Sequence, residues 1–200
     1  MILPPIHIAS RPPSDDAIVK IASHARGARL TSYPGSTRDG DASLPRGWWS
    51  VNRKRTAVGH GGETFTRAAA ALDRVEHCFD HGWLTARVLD GGGDGSLLVV
   101  CARQLFFVWC TNINRLLRDV SQPRVRSVAW ATTVRHVLAG EERIEVRWDE
   151  ATDEVTFEVL SFSRPRHWLA WVTYPLVVLQ QRRFAHDATA AVAERTAQSS

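Results

Sequence analysis

Lysine is nearly missing from this sequence: Lys20 and Lys54 are the only two among 25 basic residues. Arginine therefore carries the positive charge, and it suits carboxylates and phosphates better than lysine does. The arginines are scattered, and the longest basic run is Arg53-Lys54-Arg55. A nucleic-acid surface needs a clustered basic face. No nucleic-acid partner is expected, despite a net charge of +4. Cysteine is scarce as well. Cys78, Cys101 and Cys110 are odd in number and show no short pairing motif. Free thiols in a reducing, cytoplasmic setting are the expectation. The longest apolar run, Trp168 to Leu179, is twelve residues and holds Pro175. A spanning helix needs about 20 residues, so no integral membrane association is expected. Met1-Ile2-Leu3-Pro4-Pro5 lacks the basic start and apolar stretch of a secretory signal.

Several chemical signatures are missing too. Gly91-Gly92-Gly93-Asp94-Gly95 leads into a strand pattern, whereas a phosphate cradle leads into a helix. No cofactor is expected. His77 and His81 stand four apart beside Cys78, yet no third ligand at metal-site spacing follows, so no metal is expected either. Ser161 and Ser163 have no nucleophile elbow around them.

What is present is core. Hydrophobic residues make up 44% of the 200 and charged residues 23%, which is enough to fold one domain. Eight tryptophans point to large aromatic walls in a core or pocket. Ser14 followed by Asp15 and Asp16 predicts a short helix to about Arg26. Loop chemistry fills residues 31–47. A strand is predicted from Trp48 to Val58. Phe65, Ala68, Ala69, Leu72, Val75 and Phe79 then fall at helical spacing. Strands follow around residues 84–88, 96–103, 112–120, 124–133, 141–149 and 154–163, linked by short turns. Pro165 is expected to open a final helix that runs to about Glu194, with a kink at Pro175. Its first half, around Trp171, is apolar nearly all round, which predicts packing on more than one side. The organisation expected is an N-terminal extension over residues 1–28, one domain over 29–196 and a tail over 197–200. The domain is of the α+β class: a curved antiparallel sheet of about seven strands gripping a long C-terminal helix.

Several segments resemble a known family. They are Leu30-Thr31-Ser32-Tyr33-Pro34-Gly35-Ser36-Thr37, Gly59-His60-Gly61, Asn114-Arg115, Trp130-Ala131-Thr132 through His136 to Gly140-Glu141-Glu142, Ser161-Phe162-Ser163-Arg164-Pro165 and Leu179-Gln180-Gln181-Arg182-Arg183. Together they are similar to an uncharacterised family, the domain of unknown function DUF1990. The family's usual Tyr-Gly-Thr is Trp130-Ala131-Thr132 here, and its Pro-Gly before the histidine is Val134-Arg135. The strand order is similar to that of helix-grip folds of the START and Bet v 1 kind. That likeness implies a fold and not an activity.

Alternation along Glu141–Trp148 puts Glu142, Ile144, Val146 and Trp148 on one face, with Glu142 at the mouth of an apolar interior. A carboxylate there must be paired or its pKa rises. Arg115, His136 and Arg164 are the candidate partners. Val155, Phe157, Val159, Ser161 and Ser163 share a face of the last strand. The expected pocket lining is Arg115, Trp130, Thr132, His136, Glu142, Phe157, Ser161, Ser163 and Arg164; no catalytic residue is assigned. Three functions compete. The first is binding of a small hydrophobic or amphipathic molecule between sheet and helix. The second is an enzyme using Glu142, His136 and Arg115. The third is an interaction module whose Arg182-Arg183 helix end or Phe106-Phe107 patch meets a partner.

Overall fold

The computed structural model describes residues 7–31, 37, 44–45, 47–75, 81–89, 95–104 and 108–197. The expected roles of Tyr33-Pro34-Gly35-Ser36, His77, Cys78, the Gly91-to-Asp94 turn and Leu105-Phe106-Phe107 lie outside them.

The chain order is β1 (His7–Ala9), α1 (Asp15–Ser23), β2 (Ser50–His60), α2 (Gly61–Asp73), β3 (Leu84–Leu89), β4 (Leu97–Gln104), β5 (Val108–Gln122), β6 (Val125–Thr132), β7 (Leu138–Trp148), β8 (Glu154–Pro165), α3 (Trp168–Val172) and α4 (Tyr174–Ala197). One antiparallel sheet runs β2-β8-β7-β6-β5-β4-β3, and β1 pairs with β5. The fold is α+β, an open sheet with a long helix across one face. Ser14 caps α1 by accepting the Ala17 N–H at 3.3 Å.

Each face of the sheet is covered by different elements. On the inner face, α2 and α4 pack Ala68, Leu72, Ala185, Ala188 and Val192 onto Val58, Val128, Ile144, Val146, Val155, Phe157 and Val159. On the outer face, α1 packs Ile18 and Ala22 onto Leu97, Val99, Cys101 and Ile113. Gly140 is required where it stands, because a Cβ there would collide with the Phe162 carbonyl oxygen. Cys101 and Cys110 are free and buried, and burial pushes the Cys110 thiol up to about 11.

The C-terminal helix departs from expectation in two ways. Pro165 ends β8 instead of opening the helix, and the break falls at Thr173, between α3 and α4. Pro175 sits in the first turn of α4, where its missing N–H costs nothing. Burial is also reversed. The small residues Ala185, Ala188, Thr189, Ala191 and Val192 of the second half are buried, because they allow close approach to the sheet. Trp168, Trp171, Val172, Leu176 and Leu179 of the first half are exposed. The expected burial of the whole apolar stretch around Trp171 is therefore corrected: its outward face is bare.

Candidate ligand pocket

Strand register arranges the inner face in rows. Val146 opposes Phe157, and Ile144 opposes Val159. These rows are apolar and lie under α2 and the second half of α4. The next row toward α3 runs Asn52, Ser161, Glu142, Trp130, Leu116. One row further come Ser50, Ser163, Gly140 and, on β5 and β6, Asn114 opposite Thr132. The inner face thus turns polar toward one end.

Helix α4 crosses that end on hydrogen bonds. Gln181 Nε2 donates to Ser163 Oγ at 2.8 Å, and Asn52 Nδ2 donates to the Gln181 carbonyl at 3.3 Å. Gln180 Nε2 donates to the Arg103 carbonyl on β4 at 2.7 Å. Beneath this span, Val177, Val178, Gln181 and Phe184 are only part-buried, whereas Ala185 and Ala188 are sealed.

Glu142 lies in this region without a hydrogen-bond or ion-pair partner among the described residues. Burial alone drives its pKa, up to about 7, with no neighbouring charge or hydrogen bond offsetting it. The residue nevertheless keeps accessible surface. Its cross-strand neighbour Ser161 is buried, and its hydroxyl makes no hydrogen bond among the described residues, yet it is not sealed off. Asn114 is part-buried and likewise unpartnered among the described residues. Strand spacing and rise put Asn114 and Glu142 roughly 12 Å apart at Cα. The cluster offers a carboxyl, a hydroxyl and a carboxamide around the flank of Trp130. Such a set can orient one small molecule with donor groups.

The other expected lining residues lie elsewhere. Arg115 is on the outer face, where Nη2 donates to the carbonyls of Arg26 at 2.9 Å and Ala28 at 2.7 Å. Arg164 is exposed on the outer face and stacks 4.5 Å over the Trp49 ring. Neither pairs with Glu142. Both positions follow from strand alternation: odd residues of β5 near Ile113 and even residues of β8 near Phe162 point outward. Phe157 is fully buried in the apolar rows and belongs to the core. Thr132 Oγ1 accepts the Gly140 N–H at 2.9 Å and lies 2.8 Å from Thr31 Oγ1. It closes the strand ends.

His136 stands in the β6–β7 connection. Its Nδ1 accepts the Leu138 N–H at 2.9 Å, which leaves the proton on Nε2. Burial, with the nearby Arg166 charge, holds its pKa down at about 3. It is a fixed neutral imidazole. Glu142 lies four residues beyond Leu138, roughly 13 Å along the strand, and no hydrogen bond joins the two among the described residues. The acid/base pair expected of Glu142 and His136 is not assembled. Among the described residues, no group of three His, Cys, Asp or Glu side chains is placed to hold a metal, and no helix is long and apolar enough to cross a membrane.

The carboxylate beside Glu142 has a structural task. Glu141 is buried on the outer face, and its Oε2 accepts from Thr37 N at 3.1 Å and Thr37 Oγ1 at 3.3 Å. Arg143 Nη1 donates to the Thr37 carbonyl at 3.1 Å. Thr37, Arg115 and Thr132 therefore clamp segments to the sheet, whereas Glu142, Ser161 and Asn114 make no side-chain hydrogen bond among the described residues.

Residues 32–191 match the model of the domain of unknown function DUF1990. The chain belongs to that family. Curated DUF1990-like relatives carry the name UPF0548 protein. The one from Arabidopsis thaliana is 27% identical over 157 residues, covering 76% of each chain. The one from Deinococcus radiodurans is 28% identical over 184 residues, covering 88% of this chain and 91% of the relative. Among solved structures, a protein from Thermus thermophilus matches with a TM-score of 0.53 at 13% identity, over 76% of this chain and 100% of that one. Truncated norcoclaurine synthase from Thalictrum flavum matches with a TM-score of 0.50 at 10% identity, over 76% of this chain and 96% of that one. These likenesses show that this DUF1990 member has a helix-grip fold of the Bet v 1 and START kind.

Proposed function

We propose that this protein binds a small, mostly hydrophobic molecule between the sheet and the first half of α4, with a donor group of the ligand on Glu142. The unpartnered Glu142 carboxyl carries the reading. Burying an ionisable group with no partner is costly, so an apo protein that keeps one has a use for it. Trp130 and Leu116 supply an apolar flank, and Ser161 and Asn114 supply further polar anchors. Norcoclaurine synthase, which shares the fold, has been solved with dopamine and hydroxybenzaldehyde bound. That binding belongs to the synthase, and it illustrates the size of molecule such a fold accepts.

A carboxyl titrating at about 7 also suits general acid–base work at neutral pH. Glu142 alone, without His136 or Arg115, is the group on which an enzymatic reading rests.

Native mass spectrometry of protein purified from its own host tests the binding reading. A retained small molecule is expected, lost or weakened about tenfold or more in Glu142→Gln, since removing a partner from a buried charge-assisted hydrogen bond costs about 1.5–3 kcal/mol. A ligand-free protein, with equal affinity of both forms for hydrophobic dyes, would sink it.

A further inference from the structure

The helix that covers the candidate pocket shows solvent an unusual face. Its exposed residues from α3 onward are Trp168, Trp171, Val172, Pro175, Leu176 and Leu179, followed by Arg182, Arg183 and His186. Trp168, Trp171, Pro175, Leu179, Arg182 and His186 are three or four residues apart, with Val172, Leu176 and Arg183 beside them, so the set forms one stripe. α3 and α4 join almost continuously, because the Leu176 and Val177 amides both donate to the Thr173 carbonyl. The stripe is apolar along its first half and basic along its second. Trp168 is 63% exposed and Trp171 56%. Trp48, 85% exposed, stands at the same end of the sheet, two residues before Ser50, which pairs with Ser163.

The segment that carries the stripe is basic along the chain. Between Glu158 and Asp187 the sequence has no acidic residue, and it has Arg164, Arg166, Arg182 and Arg183. Asp187 engages Arg183 at 3.3 Å. Arg164 stacks on Trp49, and Arg166 donates to the Val134 carbonyl. Arg164, Arg166 and Arg182 have no carboxylate partner among the described residues.

We propose that this stripe docks the protein on an anionic lipid bilayer, with the tryptophans and leucines entering the headgroup boundary and Arg182 meeting lipid phosphates. Three observations favour this occupant. Tryptophan is the side chain best suited to a membrane–water boundary. Apolar anchors beside Arg182, which has no carboxylate partner among the described residues, match the two attractions that hold an interfacial helix, apolar burial and anionic headgroups. The stripe runs along the exposed side of α3 and α4, and a fluid surface needs no matching groove to meet it. A two-fold contact with the stripes antiparallel would instead set the arginine half of each copy against the tryptophans of the other, and the test separates that occupant from a bilayer. The proposal needs no ligand in the pocket and stands apart from it.

Flotation with vesicles tests it, using phosphatidylcholine alone and a phosphatidylserine-rich mixture. Binding to the anionic vesicles is expected, with a blue shift of tryptophan emission and weakening in high salt. Trp168→Ser combined with Trp171→Ser should abolish the binding, and Arg182→Gln should weaken it about fivefold. All three side chains are exposed, so thermal melting should match wild type. Equal binding to neutral vesicles, no binding to anionic vesicles, or binding indifferent to the tryptophan pair would overturn the proposal. So would light scattering that shows a dimer dissolved by the same pair, since the face would then belong to a second copy.

Discussion

Glu142 and His136 respond to pH in opposite senses. The Glu142 carboxyl holds its proton more tightly folded than unfolded, with a pKa of about 7 against 4.5. Its stabilising contribution is full below pH 4.5 and is lost as pH rises through 7. His136 binds its proton less tightly folded, at about 3 against 6.5. Its contribution is full above pH 6.5 and is lost as pH falls toward 3. Between pH 4.5 and 6.5 the two slopes, each about 1.4 kcal/mol per pH unit, cancel. Glu142→Gln should therefore lose stability on acidification through that window and gain up to about 3 kcal/mol above pH 7. His136→Asn, which keeps an acceptor for the Leu138 amide, should instead lose stability as pH rises. Urea melts across pH 4 to 8 read both slopes; matching profiles in the two variants would refute the assignment. A group whose removal stabilises the neutral-pH fold is what the proposed ligand-binding carboxyl should look like.

At the scale of elements, α4 shows how far hydropathy can be read as burial. The alanines at 185, 188 and 191 recur at helical spacing, and they form the stripe against the sheet. Ala188 is sealed between α4 and the inner core. Ala188→Leu should cost about 1–3 kcal/mol by overpacking, measured by denaturant midpoint, and should leave vesicle binding by the outward stripe intact. The alanine spacing is present in the sequence but is outweighed by the louder tryptophans and leucines upstream. An all-round apolar helix does not announce which side is inward, so the bare side emerges only from packing. Strand β5 hides its pattern for a related reason. Its residues Cys110–Ile113 are buried on both faces, so no polar alternation marks which side Asn114 and Arg115 take. Arg115 stands out by its charge, while Asn114, its inward neighbour, carries no such mark.

On the scale of the whole molecule, the inner face is divided. One end is filled by α2 and the alanine half of α4; the other is spanned by glutamine hydrogen bonds, with polar groups that have no partner among the described residues. Stability should follow the same division. Amide exchange is expected to be slowest at Val146 and in Val155–Phe157, and markedly faster in α3, whose five residues have an exposed flank. Equal protection of α3 and the β7–β8 core would contradict that division.

The sequence by itself determined the succession of β2 to β8 but not β1, the antiparallel sheet with its closing helix, the family and the alternation that sets Glu142 apart from Glu141. Those follow from local periodicity and turn chemistry, which each segment carries within itself. Only the tertiary structure decided which face of β5 is inner, that Arg115 and Arg164 lie away from Glu142, and that the helix turns its tryptophans to solvent. A strand's own pattern specifies two faces but not what covers them. Here helices cover both faces of the sheet, so the assignment comes from register with neighbours distant in the chain.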